Sequence, residues 1–201
     1  MNQSIKLENI GCLVTESDSG FDYKHNTSVT IEDDRIAAID SGSADNTIDC
    51  KGKLVSPGFV DSHTHLIFNN LRTNEHKLRL SGATYEEIAN NGGGIVSSVK
   101  SVQTATSKEL FDMVLPRLDR FISMGTTTIE AKSGYGLDTE SELKSLKVIN
   151  ELSEKHVIDI LPTFMGAHAF PVEYENKKEQ YVDLIINEMI PEVEKQGIAK
   201  F

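Results

Sequence analysis

The sequence predicts an α/β protein, with a small β domain over residues 1–55 followed by strand–helix units over residues 56–201. Three observations predict it. Short β-branched and apolar runs, bounded by Gly, Asp, Asn and Ser, fill the first part of the chain. The texture changes at Ser56-Pro57-Gly58. Beyond that point apolar runs alternate with amphipathic helical patterns, the order that builds a parallel sheet with right-handed crossovers.

The strands of the first part are read from SIKLENIGCLVTE, NTSVTIEDDRIAAIDSG and NTIDCKGKLV. Asp33-Asp34 suits a tight turn, with Arg35-Ile36-Ala37-Ala38-Ile39 as the returning strand. Cys12 and Cys50 are too few for a disulfide framework or a zinc cluster, and read as small core side chains.

In the second part the core runs are GFVDSHTHLIF (58–68), TTTIEAKSG (126–134) and HVIDILPTFMGAHAF (156–170). Before the second run, Leu110, Val114, Leu118 and Phe121 share a helical face. Thr106 and Glu109 stand at capping-box spacing, and Pro116 predicts a kink or a break. Between the second and third runs, Leu143, Leu146, Ile149 and Leu152 mark another helix, with Asp138 placed to cap it. After the third run, Tyr181, Leu184, Ile185 and Met189 mark a further amphipathic helix, and IAKF reads as the start of a fourth strand. Gly92-Gly93-Gly94 lacks the Lys-Ser/Thr of a phosphate cradle and reads as a flexible turn.

Hydrophobic residues make up 38% and charged residues 25% of the 201, the balance of an ordinary globular chain. The 31 acidic and 20 basic residues give a formal net charge of −11, which argues against nucleic acid or an anionic membrane surface as a partner. No stretch has the apolar length of a membrane span and the N-terminus lacks a secretory signal, so the expected compartment is the cytoplasm.

The chemistry is concentrated at the ends of the core runs. His63-Thr64-His65 closes the first, and side chains two apart on a strand point to one face. Two neutral imidazoles converging there form half of a metal site. Arg72 follows by a short loop, and its fork suits a carboxylate or carbonyl oxygen. By itself it reads first as a solvated loop arginine. Tyr135 lies in Ser133-Gly134-Tyr135-Gly136, where flanking glycines let the chain turn and present the ring. His168, in Gly166-Ala167-His168, would by itself read as a core histidine satisfied by backbone, but its place at the end of the third run suits it to donate to a substrate oxygen or to face developing charge. Lys132 reads as structural, and His25, His76 and His156 read as solvent-facing.

The segments PGFVDSHTHL, EAKSGYGLDTESELKSL and LPTFMGAHAFPVEY, with Arg72 between the first two, resemble in order the imidazolonepropionase family of the amidohydrolase superfamily. The resemblance runs through residues 50–201. It implies the N-terminal part of a (β/α)8 TIM-like barrel preceded by a small β-sandwich domain. A whole barrel takes ~250 residues, so this chain would supply its first three to four units. The resemblance makes His63 and His65 metal ligands, with one divalent ion, zinc or iron, as cofactor. It makes Arg72, Tyr135 and His168 contacts to the substrate 4-imidazolone-5-propanoate, with His168 taking part in catalysis, in a hydrolysis that yields N-formimidoyl-L-glutamate in histidine degradation. It also implies a homodimer at full length.

A third histidine ligand, a glutamate base and an aspartate ligand would come from later strands that these residues do not include. The expectation is therefore a truncated chain that is inactive alone, with an open sheet edge. Other cyclic-amide hydrolases or deaminases of the superfamily, and a catalytically silent interaction module, are the competing readings.

Overall fold

The computed structural model describes residues 4–201. The chain divides into two compact units, Met1–Gly58 and Phe59–Phe201.

In the first unit β1 (Ser4–Ser17) and β2 (Gly20–Glu32) form a long antiparallel hairpin, and β3 (Arg35–Ile39) returns along β2. The turn falls at Asp33-Asp34, with Asp33 at φ 54°, the left-handed conformation that Asp tolerates better than most residues. Two short strands, β4 (Asn46–Asp49) and β5 (Leu54–Val55), pair in parallel with β1, giving one five-stranded sheet. Ile10, Leu13 and Val29 form its buried apolar cluster, and Cys50 packs against them. Both cysteines are free thiols.

The second unit is built on three parallel strands in the order β6 (Phe59–Thr64), β7 (Thr126–Lys132) and β8 (Asp159–Thr163). The central strand is the buried one, with Ile129 and Ala131 both at 0% exposure. Between β6 and β7 lie α1 (Thr73–Leu80), α2 (Tyr85–Asn90), α3 (Gly94–Thr104) and α4 (Ser107–Ser123). The sequence reading placed only the last of these. None of α1 is buried, so it carries no apolar periodicity to read, and the Gly92–Gly94 turn runs straight into α3.

The capping box on α4 forms as its spacing predicts: the Thr106 hydroxyl accepts from Glu109 N, and the Glu109 carboxylate accepts from Thr106 N. Pro116 neither ends the helix nor splits it. It lies on the exposed side, where water can serve the carbonyl it leaves unmet, while Leu110, Val114 and Leu118 hold the opposite face in the core.

Helix α5 (Thr139–Lys155) crosses from β7 to β8, capped by Asp138, whose side chain accepts from Ser141 N at 2.7 Å. After β8 the chain makes a short 3-10 turn, Gly166–His168, and then the last helical segment. That segment is α6 (Lys178–Leu184), a π turn (Ile185–Met189) and α7 (Ile190–Gln196). The wider π turn precedes Pro191, which has no amide hydrogen to give to the ladder. The end of the chain runs beside β8 through Lys200 N to Pro162 O and Phe164 N to Phe201 O, without becoming the fourth strand that IAKF suggests.

Candidate active site

The three core strands deliver their sequence-marked side chains to one place. His65 follows β6 directly, Tyr135 follows β7, and His168 sits in the turn after β8. The imidazoles of His65 and His168 stack with centroids 4.2 Å apart and planes 13° from parallel. Tyr135 lies 5.1 Å from His65 and 5.2 Å from His168, and His63 lies 5.6 Å from His65, edge on.

Strand pairing explains the convergence. Thr64 Oγ1 donates to Glu130 O at 2.7 Å and Ser133 N donates to Thr163 O at 2.9 Å, which ties the ends of neighbouring strands at one level. The β6–β7 register slips between Asp61 and Thr64, where His63 N donates instead to Asp61 Oδ1. His63 is consequently exposed while His65 is half-buried.

Two hydrogen bonds set the protons on the half-buried rings of His65 and His168. His65 Nδ1 meets Ser133 O at 2.9 Å, and His168 Nδ1 meets Gly134 O at 2.9 Å. A carbonyl oxygen only accepts, so each Nδ1 carries the proton and each Nε2 keeps its lone pair. For His65 this is the arrangement of a metal-ligating histidine, oriented by a carbonyl behind it. For His168 it changes the expectation: the neutral ring has an acceptor left at Nε2, and only the protonated ring could donate to a substrate oxygen. Burial, then the proximity of His168, pushes the pKa of His65 down to about 4.

Arg72 immediately precedes α1, and its Nε and Nη2 both meet Glu75 Oε2, at 2.6 and 2.5 Å. Glu75 Oε1 in turn accepts from Gly94 N at the start of α3. This bond with Arg72 holds the Glu75 carboxyl below its usual range. Arg72, His65 and Tyr135 line one cleft of about 590 Å³, with His76 and Lys77 at its side. Burial raises the pKa of the Tyr135 phenol, against the pull of Arg72.

All five sequence-marked residues are therefore close: His63, His65, Tyr135 and His168 as a chain of ring contacts, and Arg72 through the shared cleft. Lys132 is ion-paired with Glu130, so its charge is already met. His25 and His76 are exposed. His156 is not solvent-facing as expected: its side chain is 9% exposed beside Asp119, and its Nδ1 accepts from Ile158 N.

Two carboxylates escaped the sequence reading. Glu75 holds Arg72, and Glu142 on α5, fully buried, accepts from the amides of Gly134, Gly136 and Leu137. An acid in the first turn of a helix ordinarily reads as a solvated partner of the helix dipole, as exposed Glu140 is. Nothing local separates the two.

The donors fit a divalent metal in kind and fall short in number. His63 and His65 offer two neutral imidazoles, while a closed or catalytic site takes three or more protein ligands. Among the described residues no group of three or more His, Cys, Asp or Glu is gathered to hold an ion.

The chain is similar in sequence to known proteins over most of its length. Residues 46–134 match the model of an amidohydrolase family. An imidazolonepropionase of Brevibacillus brevis is 54% identical over 154 residues, 77% of this chain and 36% of the relative. That of Alkaliphilus metalliredigens is 47% identical over 182 residues, 86% of this chain and 43% of the relative. The chain thus spans well under half the length of these curated relatives. A crystal structure of a mutant atrazine chlorohydrolase from Arthrobacter aurescens, complexed with zinc and atraton, superposes with a TM-score of 0.50 at 13% identity. It covers 79% of this chain and 35% of that one, and shows a shared α/β fold alone.

Proposed function

This chain belongs to the imidazolonepropionase family of amidohydrolases, and from that premise we propose that it contributes to hydrolysis of the cyclic amide of 4-imidazolone-5-propanoate. The observation that carries the proposal is the stack of His65 on His168 beside Tyr135 and the Arg72 cleft. We read β6, β7 and β8 as the opening strands of a (β/α)8 barrel, preceded by strands of a small β-sandwich domain at residues 1–55. The site lies past the C-terminal ends of those strands, where such barrels build their active sites.

In this reading His63 and His65 are two of the ligands of one zinc or iron ion, and further donors complete the set from outside these residues. When bound, such an ion supplies hydroxide at neutral pH. The remaining roles belong to the chain. Arg72, already oriented by Glu75, turns its free N–H groups to the substrate propionate. Tyr135, its phenol kept protonated by burial, donates to a substrate oxygen. His168, with Nδ1–H on Gly134 O, takes a proton at Nε2 from solvent water and, as the imidazolium, faces the negative charge developing on the ring carbonyl. The partner is a small molecule, with neither nucleic acid nor membrane, and the compartment is the cytoplasm; no helix among the described residues is long and apolar enough to cross a membrane.

The test is hydrolysis of 4-imidazolone-5-propanoate by the protein as its source produces it, before and after chelation. The expected result is loss with a chelator and recovery with zinc or iron. Turnover unaffected by metal removal, or turnover of other ring amides but not this one, would overturn the reading.

A further inference from the structure

We propose that Glu142 is the positioning residue of this site, its buried carboxylate setting His65, Tyr135 and His168 in place through the backbone of residues 133–137. The inference rests on the reading of those three side chains as the site.

Glu142 is 0% exposed. Its Oε1 accepts from Gly136 N at 2.7 Å, Leu137 N at 2.9 Å and Gly134 N at 3.2 Å, and its Oε2 accepts from Gly134 N at 3.0 Å. A buried carboxylate is costly unless its charge is met. Among the described residues no cation pairs with it. Backbone amides and the N-terminal end of α5 meet the charge instead, so the loop and the helix start are folded around it.

The loop could not take this shape unaided. Gly134 has φ +103°, and a Cβ there would lie 2.8 Å from His168 Cβ. Leu137 has φ +55°, a conformation unfavourable for a non-glycine residue, and its N–H donates to Glu142 Oε1, which holds it there. A Cβ on Gly136 would lie 2.6 Å from the backbone Glu142 N and 2.8 Å from Glu142 Oε1, so the loop packs directly on the helix start and on the carboxylate.

Each functional side chain is reached through that backbone. The peptide joining Ser133 to Gly134 donates its N–H to Glu142 and accepts His65 Nδ1–H on its C=O. Hydrogen bonds at the two ends of one peptide polarise each other, so the carboxylate strengthens the carbonyl that fixes the His65 tautomer. The next carbonyl, Gly134 O, accepts from His168 Nδ1. Tyr135 stands between the two clamped amides of Gly134 and Gly136. One carboxylate thus stands behind three side chains that it does not touch.

The experiment compares the unsubstituted protein with Glu142→Gln, read by nitrogen-15 spectra of labelled histidine and by hydrogen exchange of the 133–137 segment. Gln keeps an oxygen for Gly136 and Leu137, but places an amide nitrogen opposite Gly134 N and removes the charge. The expected results are an Nδ1–H tautomer at His65 and His168 in the unsubstituted protein. In the variant the Nε2–H share of His65 rises about tenfold, with exchange at Gly134 accelerated about tenfold, the range of one charge-assisted bond. Faster exchange with unchanged tautomers would show a merely structural residue and overturn the proposal. So would a folded variant with neither change, or an unsubstituted protein with the His65 proton on Nε2; that last measurement decides if the variant does not fold. Neither readout needs substrate or metal, so a failure of the proposed hydrolysis is distinguishable from a failure of the clamp.

Discussion

The imidazoles of His65 and His168 lie face to face, 4.2 Å between centroids, each with Nδ1 bound to a carbonyl of the same loop, at Ser133 and Gly134. Parallel stacking at that distance is tolerable for two neutral rings and repulsive for two cations. The pairing therefore has a pH dependence.

His65 titrates near 4 in the folded chain, against 6.5 as its ordinary value, chiefly through burial and then through His168. Between these values the unfolded chain binds a proton that the folded chain refuses. The unfolded state then holds more protons, so stability rises with pH across the window and falls as pH drops from 6.5 towards 4. Urea midpoints measured over this range should decline more steeply for the unsubstituted protein than for His65→Gln. Parallel pH profiles would show that His65 is not refusing the proton.

Arg72 tests the assignment of the cleft. Losing a hydrogen bond to a charged group costs about 1.5–3 kcal/mol, roughly a ten- to hundredfold loss of affinity. On the proposed function, Arg72→Ala in the protein as its source produces it should raise KM for 4-imidazolone-5-propanoate by that factor and leave its metal content unchanged. His63→Ala and His65→Ala should each lower the metal retained on dialysis, measured by atomic emission. A metal content that falls with Arg72 and not with the histidines would reverse these roles.

Gly134→Ala introduces a Cβ 2.8 Å from His168 Cβ and 2.9 Å from Met165 O, at φ +103°. Both the contact and the backbone oppose it. The expected cost is about 1–3 kcal/mol in denaturant unfolding, with displacement of the His168 ring signals. A neutral substitution would mean that the loop relaxes freely and does not register His168.

Thr106→Ala removes one half of the α4 capping box. The expected loss is about 1 kcal/mol, read as a lower urea midpoint at unchanged slope. Since Thr106 is exposed and far in sequence from the strand ends, bound metal should not change.

Local features were legible from the chain alone because their physics is local. The Asp33-Asp34 turn, the Thr106–Glu109 box, the Asp138 cap and the apolar faces of α4 and α5 each depend on residues within one or two helical turns. Of the kink or break that the same local logic allows at Pro116, the break does not occur. A helix whose opposite face is anchored by Leu110, Val114 and Leu118 tolerates a proline on its wet side. His63-Thr64-His65 was visible as a pair of donors because alternation along an extended chain is a local property, although His65 falls just past β6 and a register slip leaves His63 the more exposed.

The tertiary structure alone decided which groups those donors meet. The stack of His65 on His168 and the proton on each Nδ1 arise from strand pairing between segments distant in sequence. Glu142 and Glu140 are both acids in the first turn of α5, yet only Glu142 turns into the Gly134–Leu137 loop and becomes buried. A side chain's residue type states what it can bond; only packing in three dimensions determines which partner excludes water from it. For this protein the sequence by itself determined the helix caps, the strand ends and the candidate ligands. Burial and backbone partners, set by the fold, decided the tautomers, the low pKa of His65 and the clamp behind the site.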